Sequence, residues 1–309
     1  MKASRKRQKR GAGFTIIELL TIMSIIVILM TILVPGMNKV RIYARDLKQR
    51  AQFHAISTAL EVFHSEFDDY PDSGPVDETG SPYCGAMKLA EAMVGQDMEG
   101  FHQDSHFRAD CTDGNIQLYN TPTGQIPPAM LNYNMQSRKR YLQLENLNPN
   151  RLSDLYGVGN TGPFIGDLFV LSDVYPTIYH KLTTDKVGSP ILYYKPNPAK
   201  TGHSIATPGE NVYDFRDNHQ LVGLPVPREG TRHPLFDPNG PPDGVDPQDT
   251  SQLGAMFYRM TRNNTLSRVG TATGTPLLRP VRADSYILWS AGNDGLYGTR
   301  DDILNFKQD

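Results

Sequence analysis

Charge is almost missing from one stretch of this chain: between Phe14 and Val34, 21 residues, the only ionisable side chain is Glu18. Acids are missing from the segment before it, where Lys2, Arg5, Lys6, Arg7, Lys9 and Arg10 stand with no carboxylate among them. Cysteine is scarce: Cys84 and Cys111 are the only two, so no Cys-x-x-Cys occurs. Also lacking are a Gly-x-Ser-x-Gly elbow, a Walker loop and a His-Glu-x-x-His pair. Scattered histidines alone give no triad, which leaves the reading of a membrane-anchored extracytoplasmic enzyme without a signature. No internal repeat is evident.

What is there begins with the apolar run. As a helix rising about 1.5 Å per residue it spans roughly 30 Å, one hydrocarbon core. The basic flank is expected to stay cytoplasmic, which sends the rest of the chain across the membrane. A cleavable secretory signal would have an apolar stretch of about 7 to 15 residues closed by small residues. Here the run is longer and ends in Val34-Pro35-Gly36-Met37, a poor cleavage site. A plain signal anchor accounts for the length and the charges but not for Glu18. A carboxylate inside a membrane helix costs on the order of 2.5 kcal/mol or more and normally has a partner or a function. With no other charge in the run, its partner is expected at a chain end or on another molecule.

The segment Gly13-Phe14-Thr15-Ile16-Ile17-Glu18-Leu19-Leu20 resembles the head of the type IV pilin and type II secretion pseudopilin superfamily. Gly13 matches the last residue of the family's basic leader, Phe14 the first residue of the mature protein, and Glu18 its membrane acid. The resemblance implies that a prepilin peptidase cuts between Gly13 and Phe14 and methylates the new amine. It also implies a partner for Glu18, the amine of a Phe14 in a neighbouring subunit, which would set axial register during assembly. Pro35 and Gly36 match the place where family members break the helix.

Removing thirteen leader residues leaves 296, enough for a well-buried core. Taking six cations from a formal −2 leaves −8 on the mature side chains. An acidic surface argues against broad nucleic-acid binding, which needs cations for phosphates; no specific nucleic acid is expected.

From Asn38 to Phe67 the pattern predicts an amphipathic continuation of the helix. Val40, Tyr43, Leu47 and Ala51, then Ile56, Ala59, Leu60, Phe63 and Phe67, recur at helical spacing. Arg41, Arg45, Lys48, Gln49, Arg50 and Gln52 are assigned to the opposite face. A helix of about 55 residues, on the order of 80 Å if unbroken, would result. Pro35 predicts a kink or local melting, and Asp68-Asp69-Tyr70-Pro71 predicts the end.

Residues 70 to 155 read as irregular, with one short helix at Gly85–Val94. An oxidising compartment would permit a Cys84–Cys111 bridge, worth roughly 3.5 kcal/mol in the chain-entropy model; two buried free thiols are the alternative. His102 and His106, with Asp104 and Asp110, could form a metal site on a helix, but surface histidines are the expectation. Phe164–Leu171, Ile191–Lys195, Met256–Thr261 and Ser285–Trp289 read as strands. Residues 196 to 249 hold 16 Pro and Gly in 54 positions, a density that suits turns and surface loops. Within them Asp237–Asp246 has the look of a calcium loop, though its prolines favour an exposed turn.

The last motif runs Trp289-Ser290-Ala291-Gly292-Asn293-Asp294-Gly295-Leu296-Tyr297-Gly298-Thr299-Arg300-Asp301-Asp302-Ile303. Calcium takes about six to eight hard oxygens, and glycines let a loop curl round it. The EF-hand pattern is absent, and Asn293-Asp294-Gly295 could equally be a hairpin turn. The run nevertheless resembles the calcium-binding C-terminal loop of the major pseudopilin. That match implies Asp294 and Asp301 as ligands, with Ser290 or nearby carbonyls contributing and Asp302 less securely matched. Residues 75 to 280 depart from the family, whose major subunits are roughly half this length.

The expected fold class is α+β: a long N-terminal membrane-spanning helix, pilin-like, packed on a small antiparallel sheet with long loop insertions. The expected divisions are a leader (1–13), a membrane half-helix (14–37), an amphipathic half-helix (38–69) and a globular domain (70–309). The resemblance implies a subunit of the bacterial inner membrane, N-terminus inside, that assembles with its own kind and other pseudopilins on an inner-membrane secretion platform. The alternative within the superfamily is a type IV pilus subunit for adhesion, motility or DNA uptake.

Overall fold

Helix α1 spans Ile16–Phe67. It belongs to a computed structural model that describes residues 15–122, 124–204, 208–225, 232–236, 254–267 and 278–306. The chain divides into two compact units with the boundary between Ala44 and Arg45. In the first unit, α1 exposes apolar side chains such as Ile16, Leu20, Ile26, Leu29, Val34 and Met37, and it is long and apolar enough to cross a membrane. The helix continues through Pro35 and Gly36 without a break, so the melting expected there is not found.

In the second unit, α1 buries one stripe: Gln49, Gln52, Phe53, Ile56, Ala59, Leu60 and Phe63. The expectation holds for Ile56, Ala59, Leu60 and Phe63. It fails for Val40, Tyr43, Leu47, Ala51 and Phe67, which are exposed, and for the two glutamines placed on the polar face. Backbone meets one end of each buried amide, while Gln49 Nε2 and Gln52 Oε1 have no hydrogen-bond partner among the described residues. Gln52 Nε2 donates to the carbonyls of Leu147 (3.2 Å) and Ser172 (3.0 Å), and the Val174 amide donates to Gln49 Oε1 at 2.9 Å. The helix ends at Phe67, followed by Asp68 in the left-handed region (φ 59°), as the Asp-Asp-Tyr-Pro run predicts.

Helix α2 is Gly85–Val94, with the expected bounds and all ten residues buried. A side chain at Gly85 would put its Cβ 2.3 Å from the Tyr193 carbonyl oxygen, so glycine is what lets this helix start against the sheet. Strand β1 (Pro149–Arg151) pairs antiparallel with β2 (Phe169–Leu171). Only the end of the expected 164–171 strand is extended; Gly166 lies in a turn whose carbonyl takes the Ser153 amide.

The central sheet joins β3 (Leu192–Tyr194), β4 (Ile287–Ser290) and β5 (Ile303–Leu304), all antiparallel, with β4 in the middle. Trp289 stands opposite Leu192 on one side and Leu304 on the other. Side chains alternate between two cores. Tyr193, Tyr286, Leu288 and Ile303 join α1 and part of α2. Leu192, Tyr194, Ile287, Trp289 and Leu304 face Tyr83, Cys84, Met87 and Phe257. With both faces covered, the strands read as unbroken apolar runs. Four two-stranded ladders complete the β structure among the described residues.

Three more expectations are overturned. Residues 70 to 155 are not irregular apart from α2: they hold further short helices at Leu131–Gln136 and Leu152–Tyr156, and Phe101–His102 pairs antiparallel with Arg138–Lys139. Met256–Thr261 is not a strand: α4 spans Ala255–Met260, opened by Gly254 at φ 91°. A short apolar run fits a buried helix as well as a strand. The Pro/Gly-rich region also holds a helix, α3 (Arg216–Val222), because Asn218 ties it to two elements at once. Asn218 Nδ2 donates to the Tyr193 carbonyl at 2.7 Å, and the Ala86 amide donates to Asn218 Oδ1 at 2.9 Å.

Candidate functional site

The C-terminal loop leaves β4 at Ser290 and returns at Ile303. Its first bend needs Gly292: φ is 66°, and a Cβ there would sit 2.2 Å from the Asp301 carbonyl oxygen. That close approach brings two acids together. The Asp294 amide donates to Asp301 Oδ2 at 2.9 Å, and Thr299 Oγ1 donates to Asp301 Oδ1 at 2.6 Å. Burial and then the Asp301 charge push the Asp294 carboxyl up. The arrangement is a pair of hard-oxygen side chains at one point of a tight loop.

The other two expected ligands turn inward. Asp302 Oδ2 accepts from Trp289 Nε1 at 2.6 Å and from the Gly298 amide at 2.7 Å, and burial pushes its carboxyl up to about 8. Ser290 Oγ donates to Asp173 Oδ2 at 2.7 Å. So the residues fit a calcium ion only in part. Asp294 and Asp301 offer oxygens together, while Asp302 and Ser290 are engaged by the core. No group of three or more His, Cys, Asp or Glu that could hold a metal occurs among the described residues.

Asp173 is the residue that sequence reasoning missed. It is buried, and its Oδ1 also accepts from the amides of Tyr175 and Ser189, both at 3.1 Å. Burial raises its carboxyl to about 7 in spite of these donors. No sequence signal marks it, because a lone Asp after a strand reads as a turn.

At the other end of the chain, Thr15 and Glu18 form a reciprocal pair. The Thr15 amide donates to Glu18 Oε2 at 2.9 Å and the Thr15 hydroxyl to the same oxygen at 2.7 Å. In return the Glu18 amide donates to Thr15 Oγ1 at 3.3 Å. This is a capping box, which satisfies the first orphan donors of α1. Glu18 therefore has a neutral partner three residues away, in addition to the charged one expected at a chain end or on another molecule. The Thr-x-x-Glu spacing carried that signal. Gly13 and Phe14 lie outside the described residues.

No family model matches the chain, and no curated protein or solved structure does. The functional reading rests on the residues.

The remaining candidates resolve as follows. Cys84 and Cys111 are not bridged; both are free, buried thiols in the apolar core. Burial pushes Cys84 up to about 11 and raises Cys111 as well, so neither is a reactive thiolate. His102 is buried in a strand rather than on a helix or at the surface, with Nδ1 accepting from the Asp104 amide at 3.3 Å. His106 is exposed, as expected. Asp237–Asp246 lies outside the described residues.

Proposed function

We propose that this chain is a pilin-like structural subunit, a pseudopilin of a type II secretion system. Prepilin peptidase would cut between Gly13 and Phe14, and the mature chain would wait in the inner membrane until its helices assemble into a periplasmic filament with other pseudopilins. One observation carries this reading: the motif from Gly13 to Leu20 heads a helix whose membrane-length part exposes apolar side chains and, beyond Glu18, no charge as far as Pro35.

The capping box refines the role of Glu18. In the uncut chain Thr15 serves the carboxylate, which lowers the cost of carrying it into a membrane. In a filament a neighbour's ammonium would compete with two neutral donors. A charge-assisted contact is about twice as strong as a neutral one, which favours the ammonium. Calcium, if held, would sit on Asp294 and Asp301 with loop carbonyls and water filling the rest of its shell.

Mass spectrometry of the chain recovered from membranes tests the reading. The expected product begins at Phe14 and carries an N-methyl group. A chain that still begins at Met1 in a cell with an active prepilin peptidase would falsify it. So would a Glu18→Ala chain that polymerises as readily as the parent.

A further inference from the structure

Among the described residues of the second unit, the two most exposed large apolar side chains are Val158, at 92%, and Leu182, at 77%. They stand on adjoining loops. The Lys181 amide donates to the Asp154 carbonyl at 2.7 Å, and a Cβ at Gly157 would lie 3.9 Å from the Lys181 side chain. Leu182 is at the tip of a hairpin whose strands are Ile178–Tyr179 and Lys186–Val187. That tip is held in one shape. His180 Nδ1 accepts from the Leu182 and Thr183 amides, both at 3.3 Å, and the His180 carbonyl accepts from the Thr184 amide at 2.9 Å. Tyr179, on the same hairpin, is exposed as well. Apolar side chains grouped at the surface in this way mark a contact face.

Cations accompany these side chains. Lys181 and Lys186 are on the hairpin, with Lys186 Nζ 4.9 Å from the centroid of the Tyr179 ring. Lys186 and Lys48 of α1 line a hollow of about 310 Å³ beside Val174 and Gly188. Among the described residues the hairpin's one ion pair is His180 Nε2 with Asp154 Oδ2 at 3.8 Å; Lys48, Lys181 and Lys186 have none. Asp185 is the single acid on the hairpin. Asp173 also lines the hollow, but it is buried and its oxygens accept from interior donors. The foot of the hairpin meets α1 where the helix enters this unit. The Tyr175 hydroxyl donates to Asp46 Oδ1 at 2.6 Å and the Val174 amide to Gln49 Oε1 at 2.9 Å.

Chain connection selects the occupant. The membrane-length run ends at Pro35, ten residues before Arg45, and from Leu19 to Arg45 the chain has no acid. Lys39, Arg41, Arg45, Lys48 and Arg50 follow that run within fifteen residues. Cations so close to a span bias their flank toward the cytoplasm, so these five oppose the six of the leader. Contact with anionic headgroups on the far side offsets that cost. We infer that this end of the second unit docks on anionic phospholipid of the leaflet from which α1 emerges. Lys48, Lys181 and Lys186 meet the phosphates, Val158 and Leu182 enter the acyl boundary, and Tyr179 sits at headgroup level. The short tether keeps a membrane within reach at all times, so even a weak contact is populated. A free phosphate would leave Val158 and Leu182 in water. The inference rests on the membrane anchoring in the proposed function and not on filament assembly.

The test uses the full chain in nanodiscs of phosphatidylcholine alone or mixed with phosphatidylglycerol. Cys84 and Cys111 are buried, so Thr183→Cys takes an environment-sensitive dye at the hairpin tip. In the phosphatidylglycerol discs the dye emission should shift to the blue and be quenched by a headgroup spin label, and salt should reverse both. Lys181→Glu combined with Lys186→Glu should cut the ratio of docked to free hairpin about tenfold or more, and Leu182→Asp should cut it as well. All three side chains are exposed, and an unchanged melting midpoint checks that each variant folds. The same spectrum in both discs, or docking that survives both variants, overturns the inference while the anchor stands. A chain that enters neither disc overturns the anchoring reading and the inference with it. Quenching seen only with several copies in a disc also overturns it, by making a second copy the occupant.

Discussion

Asp173 collects a serine hydroxyl and two amides inside the domain, yet burial still drives its carboxyl up to about 7. The folded chain keeps this proton at pH values where the unfolded chain, near the ordinary aspartate value, has released it. Its contribution to stability is therefore complete below about pH 4 and is lost as pH rises through about 7, a swing of roughly 4 kcal/mol at most. Asp173→Asn should flatten that decline in denaturant melts taken from pH 4 to pH 8. A variant that keeps the parent's slope would move the effect elsewhere. Glu18 teaches the complementary lesson. The same Thr-x-x-Glu letters encode a helix cap and fit a family processing motif, and the cap was the half readable from local chemistry alone.

Among the elements, α2 was legible to the residue because a run of helix formers from Ala86 to Met93 lies between Gly85 and Gly95. Strands β3 and β4 were legible because both their faces are covered. Helix α4 was not: six residues carry too little periodicity to separate a buried turn of helix from a strand. Nor could periodicity say that the apolar stripe of α1 changes face, with Leu47 exposed and Gln49 buried two residues later. The C-terminal loop was half legible. Its glycines and acids were in place, but the core claims Asp302 through Trp289 and Ser290 through Asp173. Calcium should raise the melting midpoint of the parent, and Asp294→Ala or Asp301→Ala should remove that gain. Asp302→Asn, which can keep an acceptor for Trp289 and Gly298, should retain it. Equal melting of the parent in calcium and in chelator would sink the proposed ion.

Taken whole, the chain's α+β character could be read from its letters, while the packing that decides chemistry could not. Two cysteines in a chain read as extracytoplasmic suggest a bridge. Each instead lies in the apolar core as a free thiol, a matter of distance and direction that spacing does not encode. The charge balance was readable in sign but not in place, since Lys88 and Arg138 are cations buried in the domain, each facing a carboxylate.

Because Phe53, Ile56, Leu60 and Phe63 are a wall of the domain's own interior, the apolar anchor can be trimmed away only so far. A fragment that starts at Arg45 should express as a soluble monomer. One that starts after Phe67 should strip a face from the sheet and come out of the cell as aggregate, which light scattering of the two products would show.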